Sequence, residues 1–282
     1  MKPAPFKYIR PETLPEALAA LANYGDDVRV IAGGQSLGAM LNMRIVTPAV
    51  LMDINRVSGL DTIASGSGTV STGAMVRQAD ALGNAEISKV VPLLARALPN
   101  VGHYQTRNRG TLGGSVAHAD ASAEIPLTLV TLGGAVELRS KLRGRKVAAA
   151  EFFRSALVTV REPDELVTAL HWPSRQSGDR CAFIEFAVRE GDFAIVAVAC
   201  VVNTQSGSLR LGFGGCGETP QLVERGDIMS LDEATIASIA RDAAAGLDYQ
   251  SDLLAAADYR RHLAATLARE AMTAAIQEAA HV

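Results

Sequence analysis

The chain has 282 residues, of which 48% are hydrophobic and 20% are charged, a composition typical of globular proteins. The formal net charge is −3 and there is no long basic run, so we expect no nucleic-acid partner. No segment approaches the ~20 apolar residues of a membrane span, and the first residues hold no apolar stretch of signal-peptide length. We therefore expect a cytoplasmic protein without a transmembrane segment.

The cysteines indicate neither a disulfide framework nor a metal site. Cys181, Cys200 and Cys216 are odd in number and widely spaced. They fit neither paired disulfides nor a zinc site, and they fall short of the four thiolates of an ordinary iron–sulfur cluster. We predict that they are small buried side chains on strands, and that this chain binds no metal.

Residues 1–55 predict a small α/β unit. Thr13 and Glu16 have the spacing of a capping box and Pro15 lies near the first helical position, so a helix begins here. The apolar face of this helix comprises Leu14, Leu18 and Leu21. Short strands are predicted to follow at residues 28–32 and 50–54.

Residues 56–175 predict a mixture of short strands and helices. The predicted strands are 69–73 and 166–171 with a hairpin of 135–139 and 145–147, and the predicted helices are 76–82, 93–98 and 125–132. Residues 99–115 are polar and rich in glycine. Polar turn formers replace the periodic pattern at residues 173–179, which predicts a linker.

Residues 176–282 predict an antiparallel meander followed by helices. Three strand-like runs, at 181–188, 194–203 and 209–216, are separated by short turns. From about residue 231 to the end, the sequence is rich in alanine and has helical periodicity.

Two glycine-rich segments carry the chemistry of this sequence. Residues 32–36 (AGGQS) follow a predicted strand, and residues 111–115 (TLGGS) have two glycines flanked by hydroxyl side chains. Such segments can offer backbone N–H groups and a hydroxyl to an anion. Either segment alone favours a simple tight turn, but together they indicate a pyrophosphate held from two sides, as in a dinucleotide. Neither is a G-x-G-x-x-G or a P-loop motif, which disfavours an NAD site of the Rossmann type.

Several residues near these segments have two interpretations. Arg107 and Arg109 either neutralise a phosphate, line the route to a partner, or pair with a neighbouring carboxylate. For His118 we favour packing against a cofactor over proton transfer. For Trp172, at a strand end, we predict packing in the core. His103 is interpreted as a surface or strand residue.

The surroundings of both glycine segments resemble a known family. The stretches RVIAGGQSLGAMLNMRIVTPAVLMDIN (29–55) and TRNRGTLGGSVAHADASAEIP (106–126) are similar to the medium, FAD-binding subunits of the molybdenum hydroxylases. That family includes bacterial carbon monoxide dehydrogenase, quinoline and nicotine dehydrogenases, and the flavin domain of xanthine dehydrogenase. The resemblance covers nearly the whole chain, and the combination of A-G-G-x-S with R-N-R-G-T-[LI]-G-G-S is highly specific.

The resemblance implies an α+β fold in two parts. The first is the FAD-binding fold of the vanillyl-alcohol oxidase (PCMH) type, with two α/β subdomains. The second is a C-terminal domain of three antiparallel strands and a helical bundle. We expect the FAD-binding domain at 1–175, with subdomains at about 1–55 and 56–175, and the C-terminal domain at 176–282.

The resemblance also implies which residues contact FAD. The two glycine segments match the pyrophosphate loops of the family, and Asn55, two residues after Asp53, matches its D-[IL]-N strand. Glu124 matches an acidic residue that hydrogen-bonds the ribose or adenosine part, and Leu166 an apolar position near the adenine. Residues 191–193 match a G-D-aromatic motif whose ring approaches the isoalloxazine. The implied FAD-binding residues are Ala32, Gly33, Gly34, Gln35, Ser36, Leu37, Asn55, Thr111, Gly113, Gly114, Ser115, His118, Glu124, Leu166, Asp192 and Phe193.

Two positions depart from parts of the family. Gln35 stands where carbon monoxide dehydrogenases have histidine. At this position the sequence therefore resembles the hydroxylases of N-heteroaromatic compounds more closely. Phe193 replaces the tyrosine of some members, so a phenolic hydroxyl is absent there.

The resemblance implies electron transfer without catalytic residues in this chain. A small partner subunit carries two [2Fe–2S] clusters, and a large partner carries the molybdopterin cofactor and hydroxylates the substrate, by similarity an N-heteroaromatic compound. Electrons pass through the clusters to FAD on this chain and then to an external acceptor. We expect the assembly to be a dimer of such heterotrimers.

Two alternatives are less favoured. A self-contained FAD oxidase of the same fold class needs a substrate-capping domain, for which residues 176–282 look too few and too apolar in pattern. A scaffold that has lost its flavin conflicts with the two intact glycine segments. Flavin reduction by substrate in the isolated chain, or a colourless protein in excess FAD, distinguishes these alternatives.

Overall fold

A small parallel sheet forms the N-terminal unit of the computed structural model, which describes residues 2–228 and 231–277. The elements of this unit are β1 (Lys7–Ile9), α1 (Leu14–Tyr24), β2 (Val28–Ile31), α2 (Leu37–Asn42) and β3 (Val50–Asp53). The three strands are parallel and lie in the order β1-β3-β2. This confirms α1, β2 and β3 close to their predicted bounds, and it adds β1 and α2.

Helix α1 begins at the predicted capping box. The Thr13 hydroxyl accepts a hydrogen bond from the Glu16 backbone N–H, and the Glu16 carboxylate accepts one from the Thr13 N–H, each at 3.4 Å. Leu18 and Leu21 are buried in one core with Met52 of β3. The helix therefore covers one face of the small sheet. The loops that follow β2 and β3 lie at the carboxyl-end edge of that sheet.

An antiparallel sheet with many short helices forms the second unit. Its elements are β4 (Ile63–Gly66), β5 (Thr69–Gly73), α3 (Gln78–Leu82), α4 (Ala85–Val90), α5 (Pro92–Ala97), α6 (Tyr104–Arg109), α7 (Leu112–His118), α8 (Glu124–Leu132), β6 (Ala135–Arg139), β7 (Gly144–Ala148), α9 (Ala149–Phe152), β8 (Phe153–Ser155), β9 (Val158–Thr159) and β10 (Leu166–Pro173). The main sheet has the order β4-β5-β10-β6-β7, and β8 pairs with β9. The predicted hairpin of β6 and β7 is confirmed. Residues 99–115, for which the sequence predicted no helix or strand, contain α6 and the first four residues of α7.

Trp172 on β10 packs in the core of this unit. Its side chain is fully buried, and its indole N–H donates to the Thr72 hydroxyl of β5 at 2.9 Å. Since Thr72 is also buried, this bond satisfies two polar groups that have no access to water. The predicted packing role of Trp172 is therefore confirmed.

A four-stranded antiparallel meander and two helices form the C-terminal unit. The elements are β11 (Asp179–Phe186), β12 (Val196–Asn203), β13 (Ser208–Gly214), β14 (Gln221–Arg225), α10 (Glu233–Ala245) and α11 (Ala257–Gln277). The three predicted strands are confirmed in place, but the expected number is wrong, because β14 adds a fourth. The predicted helical region extends to residue 282, and residues 278–282 lie outside the described part of the chain.

The C-terminal sheet is covered on both faces. One face packs against α10 and α11 in a core that includes Phe213 and Leu267. The other face carries Ala197 and Ala199, which pack with Leu93 of α5 and Leu127 of α8. Helix α8 is therefore shared by the second unit and the C-terminal sheet, which places its first residues at the junction of the two.

All three cysteines are free and buried. Burial raises the pKa of the Cys216 thiol to about 12, so this thiol is neutral at physiological pH. Within residues 2–228 and 231–277, no group of His, Cys, Asp and Glu side chains is arranged to hold a metal ion, and no helix is long and apolar enough to cross a membrane.

Candidate cofactor-binding site

The first glycine segment, residues 32–36, leaves β2 and leads into α2. Gly34 has φ +74°, a left-handed conformation that favours glycine. Among the described residues, the backbone N–H groups of positions 34–37 donate no hydrogen bond to the protein, and the Ser36 hydroxyl makes no capping bond. Four successive N–H groups and one hydroxyl are therefore available to an anion, as the sequence predicted.

The second glycine segment, residues 111–115, differs from the prediction. It is the start of α7, with Thr111 as the N-cap residue. The N–H groups of Leu112 and Gly113 donate to backbone carbonyls at 3.0 Å, and that of Gly114 donates to the Thr111 hydroxyl at 3.0 Å. The Ser115 N–H is also used, within the helix. The expected row of free N–H groups is therefore absent here, and the Ser115 hydroxyl is the donor that this segment can offer.

The two glycine segments lie against each other. A Cβ placed on Gly33 overlaps the backbone carbonyl of Arg109, just before the second segment. A Cβ placed on Gly114 lies 3.6 Å from the Cβ of Ala32. The glycine at position 33 is thus required by the close approach of two backbones. The structure brings together the two segments that the sequence predicted to hold one ligand from two sides.

A hydrogen-bonded brace ties these segments together. The Asn55 side-chain N–H donates to the Ala32 carbonyl at 2.8 Å, and the Asn55 oxygen accepts from the Arg77 guanidinium at 2.6 Å. The other arm of Arg77 donates to the Arg109 carbonyl. Partial burial and the nearby charge of Arg109 lower the pKa of Arg77, but a guanidinium remains charged. Arg77 therefore places a positive charge beside both segments.

Sequence reasoning missed Arg77. Its only local signal is a basic residue at the start of a short helix, α3, and such residues are common on surfaces. The contacts that define its role join residues far apart in sequence. Asn55, by contrast, was predicted, and it stands where the brace meets the first segment.

Asp53 orients Asn55. Its carboxylate accepts from the Asn55 backbone N–H at 2.8 Å, from the Asn55 side chain at 2.6 Å, and from the Tyr8 hydroxyl at 2.5 Å. Partial burial by itself raises the pKa of Asp53, but the hydrogen bonds from Tyr8 and Asn55 outweigh it and lower that pKa. The carboxylate therefore stays ionised and keeps the amide oxygen of Asn55 turned toward Arg77.

Glu124, the first residue of α8, is a buried carboxyl group. Burial raises its pKa to about 7; the neighbouring Asp120 raises it further and Arg107 lowers it. Near neutral pH this group is present in both forms, so it can donate or accept a hydrogen bond. The predicted hydrogen bond to the ribose or adenosine part of FAD needs either a donor or an acceptor at this position. The guanidinium of Arg107 donates to the carbonyls of Val101 and Gly102.

Glu185 on β11 is a second acidic group that the sequence analysis did not single out. Burial raises its pKa to about 8, and the charge of Glu124 contributes to this shift. One of its carboxylate oxygens is buried without a hydrogen-bond partner in the described part of the chain. Two carboxyl groups from different units therefore interact electrostatically, and both hold protons more tightly than an exposed glutamate.

The remaining predicted residues occupy different environments. His118 is the last residue of α7 and is only partly buried, whereas the side chain of Leu166 is buried in the core of the N-terminal unit. Asp192 and Phe193 lie in the loop between β11 and β12, and the Phe193 ring is 61% exposed. An exposed aromatic ring of this kind is free to cover a planar ligand.

The loop of Phe193 is linked to the second glycine segment. Gly191 has φ +81°, and the imidazole of His103 fills the space that a Cβ at Gly191 would need. His103 precedes α6, a helix of six residues that leads directly into Gly110 and Thr111. His103 was predicted to be a surface or strand residue; it is exposed, it directly precedes α6 without a capping bond from its side chain, and it contacts this loop.

Two sequence families match the chain. The FAD binding domain in molybdopterin dehydrogenase matches residues 4–175, and the CO dehydrogenase flavoprotein C-terminal domain matches residues 181–275. The chain belongs to the family of FAD-binding subunits of molybdopterin-dependent dehydrogenases. The resemblance, the α+β fold of the PCMH type and FAD as the cofactor are thereby confirmed.

Individual relatives agree over their full length. The 6-hydroxypseudooxynicotine dehydrogenase complex subunit alpha of Paenarthrobacter nicotinovorans is 36% identical, over 99% of this chain and 97% of that protein. A chain of carbon monoxide dehydrogenase from Hydrogenophaga pseudoflava superposes with a TM-score of 0.94 at 29% identity, covering 98% of this chain and 99% of its own length. A chain of quinoline 2-oxidoreductase from Pseudomonas putida 86 has a TM-score of 0.93 at 35% identity and 99% coverage of both chains.

The residues of this FAD-binding subunit fit a dinucleotide. The free N–H groups of 34–37, the Ser36 and Ser115 hydroxyls and the Arg77 charge are donors suited to a pyrophosphate. A cavity of about 220 Å³ lies elsewhere, between α5, α8 and β13, and Leu93, Leu132 and Arg210 line it. None of the predicted FAD contacts lines that cavity.

Proposed function

We propose that this chain binds FAD with its pyrophosphate between residues 32–36 and Ser115, and that it transfers electrons within a molybdenum hydroxylase complex. The observation that carries the proposal is the set of four free backbone N–H groups at 34–37, placed against the start of α7. The chain has the donors to hold a cofactor and needs no acid–base chemistry of its own. Bound FAD supplies the redox chemistry, accepting electrons and passing them on.

The chain's own residues bind and orient the cofactor. The N–H groups of 34–37 and the two serine hydroxyls donate to phosphate oxygens, and Arg77 supplies a fixed positive charge beside them. Because Asn55 and Arg77 hold the two segments together before a ligand arrives, little ordering is needed on binding. Glu124 is assigned to a ribose hydroxyl, and the ring of Phe193 to the isoalloxazine.

The partners and the substrate are part of the same proposal. We assign the [2Fe–2S] clusters to a small partner subunit and the molybdopterin cofactor to a large one, in a dimer of heterotrimers in the cytoplasm. The substrate is assigned to the N-heteroaromatic class. Relatives named for this class support the assignment: a caffeine dehydrogenase subunit beta is 38% identical over 78% of this chain, and a nicotine 6-hydroxylase medium subunit is 34% identical over 98%.

We also propose that the chain is divided into two domains. We place the FAD-binding domain at 1–175 and the C-terminal domain at 176–282, of which 229–230 and 278–282 lie outside the described residues. The two family matches end and begin on either side of this boundary. Separate hydrophobic cores on the two sides, joined mainly through α5 and α8, also support it.

Removing hydroxyl groups tests the binding site without filling it. The double variant Ser36→Ala/Ser115→Ala removes two donors, and Ser88→Ala removes an exposed hydroxyl from α4 as a matched control. Each hydrogen bond to a charged group is worth about 1.5–3 kcal/mol, so we expect FAD to bind at least ~100-fold more weakly in the double variant. The measurement is flavin fluorescence titration of the co-purified, FAD-depleted complex. Equal affinity in parent and double variant, with the control unchanged, would refute this placement of the pyrophosphate.

A further inference from the structure

Arg260, near the start of α11, is a buried charge with no part in the site described so far. Its side chain is 5% exposed. One arm donates to the backbone carbonyls of Ile195, at 2.5 Å, and Gly215, at 2.6 Å, and the other donates to the Asp252 carboxylate at 2.6 Å. Removing a guanidinium from water costs several kcal/mol, and only well-made hydrogen bonds offset that cost. Arg260 therefore has defined partners, and two of them are main-chain atoms.

The first carbonyl lies at the base of the loop that carries Phe193. Ile195 directly precedes β12, and its N–H donates to the Phe186 carbonyl at 2.8 Å, which closes the loop 187–194. Arg260 holds the other polar group of the same residue. The base of the loop is thus fixed from both sides, while the Phe193 ring remains exposed.

The second carbonyl belongs to Gly215, a residue that is hydrogen-bonded to the FAD-binding domain. Gly215 has φ +75°, and a Cβ there would lie 2.6 Å from the Ile195 carbonyl, so only glycine fits beside it. The Gly215 N–H donates to the Ala121 carbonyl at 2.8 Å. Ala121 lies between α7, which carries Ser115, and Glu124. One guanidinium therefore connects the aromatic loop to the segment that joins two predicted FAD contacts.

We propose that Arg260 is a positioning residue that holds Phe193 and Glu124 at a fixed separation across the FAD site. This rests on the proposed function, since both residues are assigned to FAD there. Arg260 itself touches no cofactor atom in this account. It acts through the backbones of Ile195, Gly215 and Ala121, so its loss loosens two segments of chain that are distant in sequence.

The neighbouring residue offers a matched control. Arg261 is half-exposed and pairs with the exposed Asp258 at 2.6 Å on the helix surface. Arg260→Met and Arg261→Met therefore make the same chemical change on adjacent residues of one helix. Arg260→Lys keeps a buried cation but lacks the planar fork needed to reach all three oxygens, so it remains informative where Arg260→Met does not accumulate as a folded protein.

Hydrogen exchange and FAD affinity test the proposal on the co-purified complex. In Arg260→Met or Arg260→Lys, we expect faster exchange in residues 187–194 and 119–123 and unchanged exchange in α1. We also expect at least ~10-fold weaker FAD binding, because the movement of residues 119–123 weakens the hydrogen bond assigned to Glu124. Arg261→Met is expected to match the parent in both measurements.

Three results would overturn it. These are unchanged exchange in both segments in the Arg260 variants, uniformly faster exchange throughout the C-terminal domain with unchanged FAD affinity, and equal effects of the Arg260 and Arg261 substitutions. Failure of the proposed function is distinguishable, because the parent complex would then bind no FAD while the two segments still respond to the Arg260 substitutions.

Discussion

Replacing Gly33 by alanine is the most direct perturbation of the contact between the two glycine segments. The added Cβ overlaps the Arg109 carbonyl, and it also approaches the Cα of Gly110 at 2.9 Å. Both are backbone atoms, so they cannot rotate away as a flexible side chain does, and the segments must separate. Overpacking of this kind costs about 1–3 kcal/mol of stability. Misplacing two of the donors to the pyrophosphate, at about 1.5–3 kcal/mol each, weakens FAD binding by about 100-fold to 10,000-fold.

Gly38→Ala is the matched control. Gly38 lies in α2, five residues further on, and a Cβ there meets nothing within 4 Å. Alanine in a helix is favoured over glycine by about 1 kcal/mol, so this variant should be at least as stable as the parent and bind FAD equally well. Fluorescence titration and chemical unfolding of both variants provide the comparison. If Gly33→Ala binds FAD as tightly as Gly38→Ala, the two segments do not form one site.

Three further predictions concern the brace, the core and the acidic pair. Arg77→Met should weaken FAD binding by about 10-fold or more, because a charge and the link between the segments are lost; titration showing parental affinity would contradict this. Trp172→Phe should lower the free energy of unfolding by about 1–3 kcal/mol in urea, because the Thr72 hydroxyl is left buried without its partner; an unchanged midpoint would count against it. Burial raises the pKa of Glu185 to about 8 and the pKa of Glu124 to about 7. Between the ordinary glutamate pKa of 4.5 and these raised values, the folded chain therefore binds more protons than the unfolded chain. The free energy of unfolding should therefore fall as pH rises through that window, and Glu185→Gln should reduce the fall; identical pH profiles of parent and variant would show that folding does not raise the pKa of Glu185.

Local signals in the sequence predicted several elements well. The start of α1 follows from Thr13, Pro15 and Glu16, which satisfy the first turn without help from the rest of the chain. The β6–β7 hairpin follows from alternating residues around a glycine. Both features depend on neighbours within a few positions, and for this reason they can be recognised before any tertiary structure is known.

Other elements depend on partners that local sequence does not reveal. Strand β14 is an edge strand of five partly exposed residues, and it exists because β13 offers it hydrogen bonds. The glycines of 111–115 suggest a loop, yet Thr111 caps a helix there and Ala74 and Val76 accept the N–H bonds. Tertiary contacts override the low helix propensity of glycine at this position.

The candidate site was predicted in part for the same reason. The two segments and Asn55 were found through a recognisable motif. Arg77, Glu185 and Arg260 were not, because their roles come from hydrogen bonds and burial that join remote parts of the chain. A basic residue on a short helix and an acidic residue on a strand have ordinary surface roles until the fold is known.

The FAD content of the co-purified complex tests the central claim most directly. The complex is denatured, the released FAD is quantified, and the amount is compared with the amount of this chain. The account predicts one FAD for each copy of this chain in the parent and strongly reduced content in Gly33→Ala. A folded, assembled parent complex that holds no FAD even in excess cofactor would contradict the account.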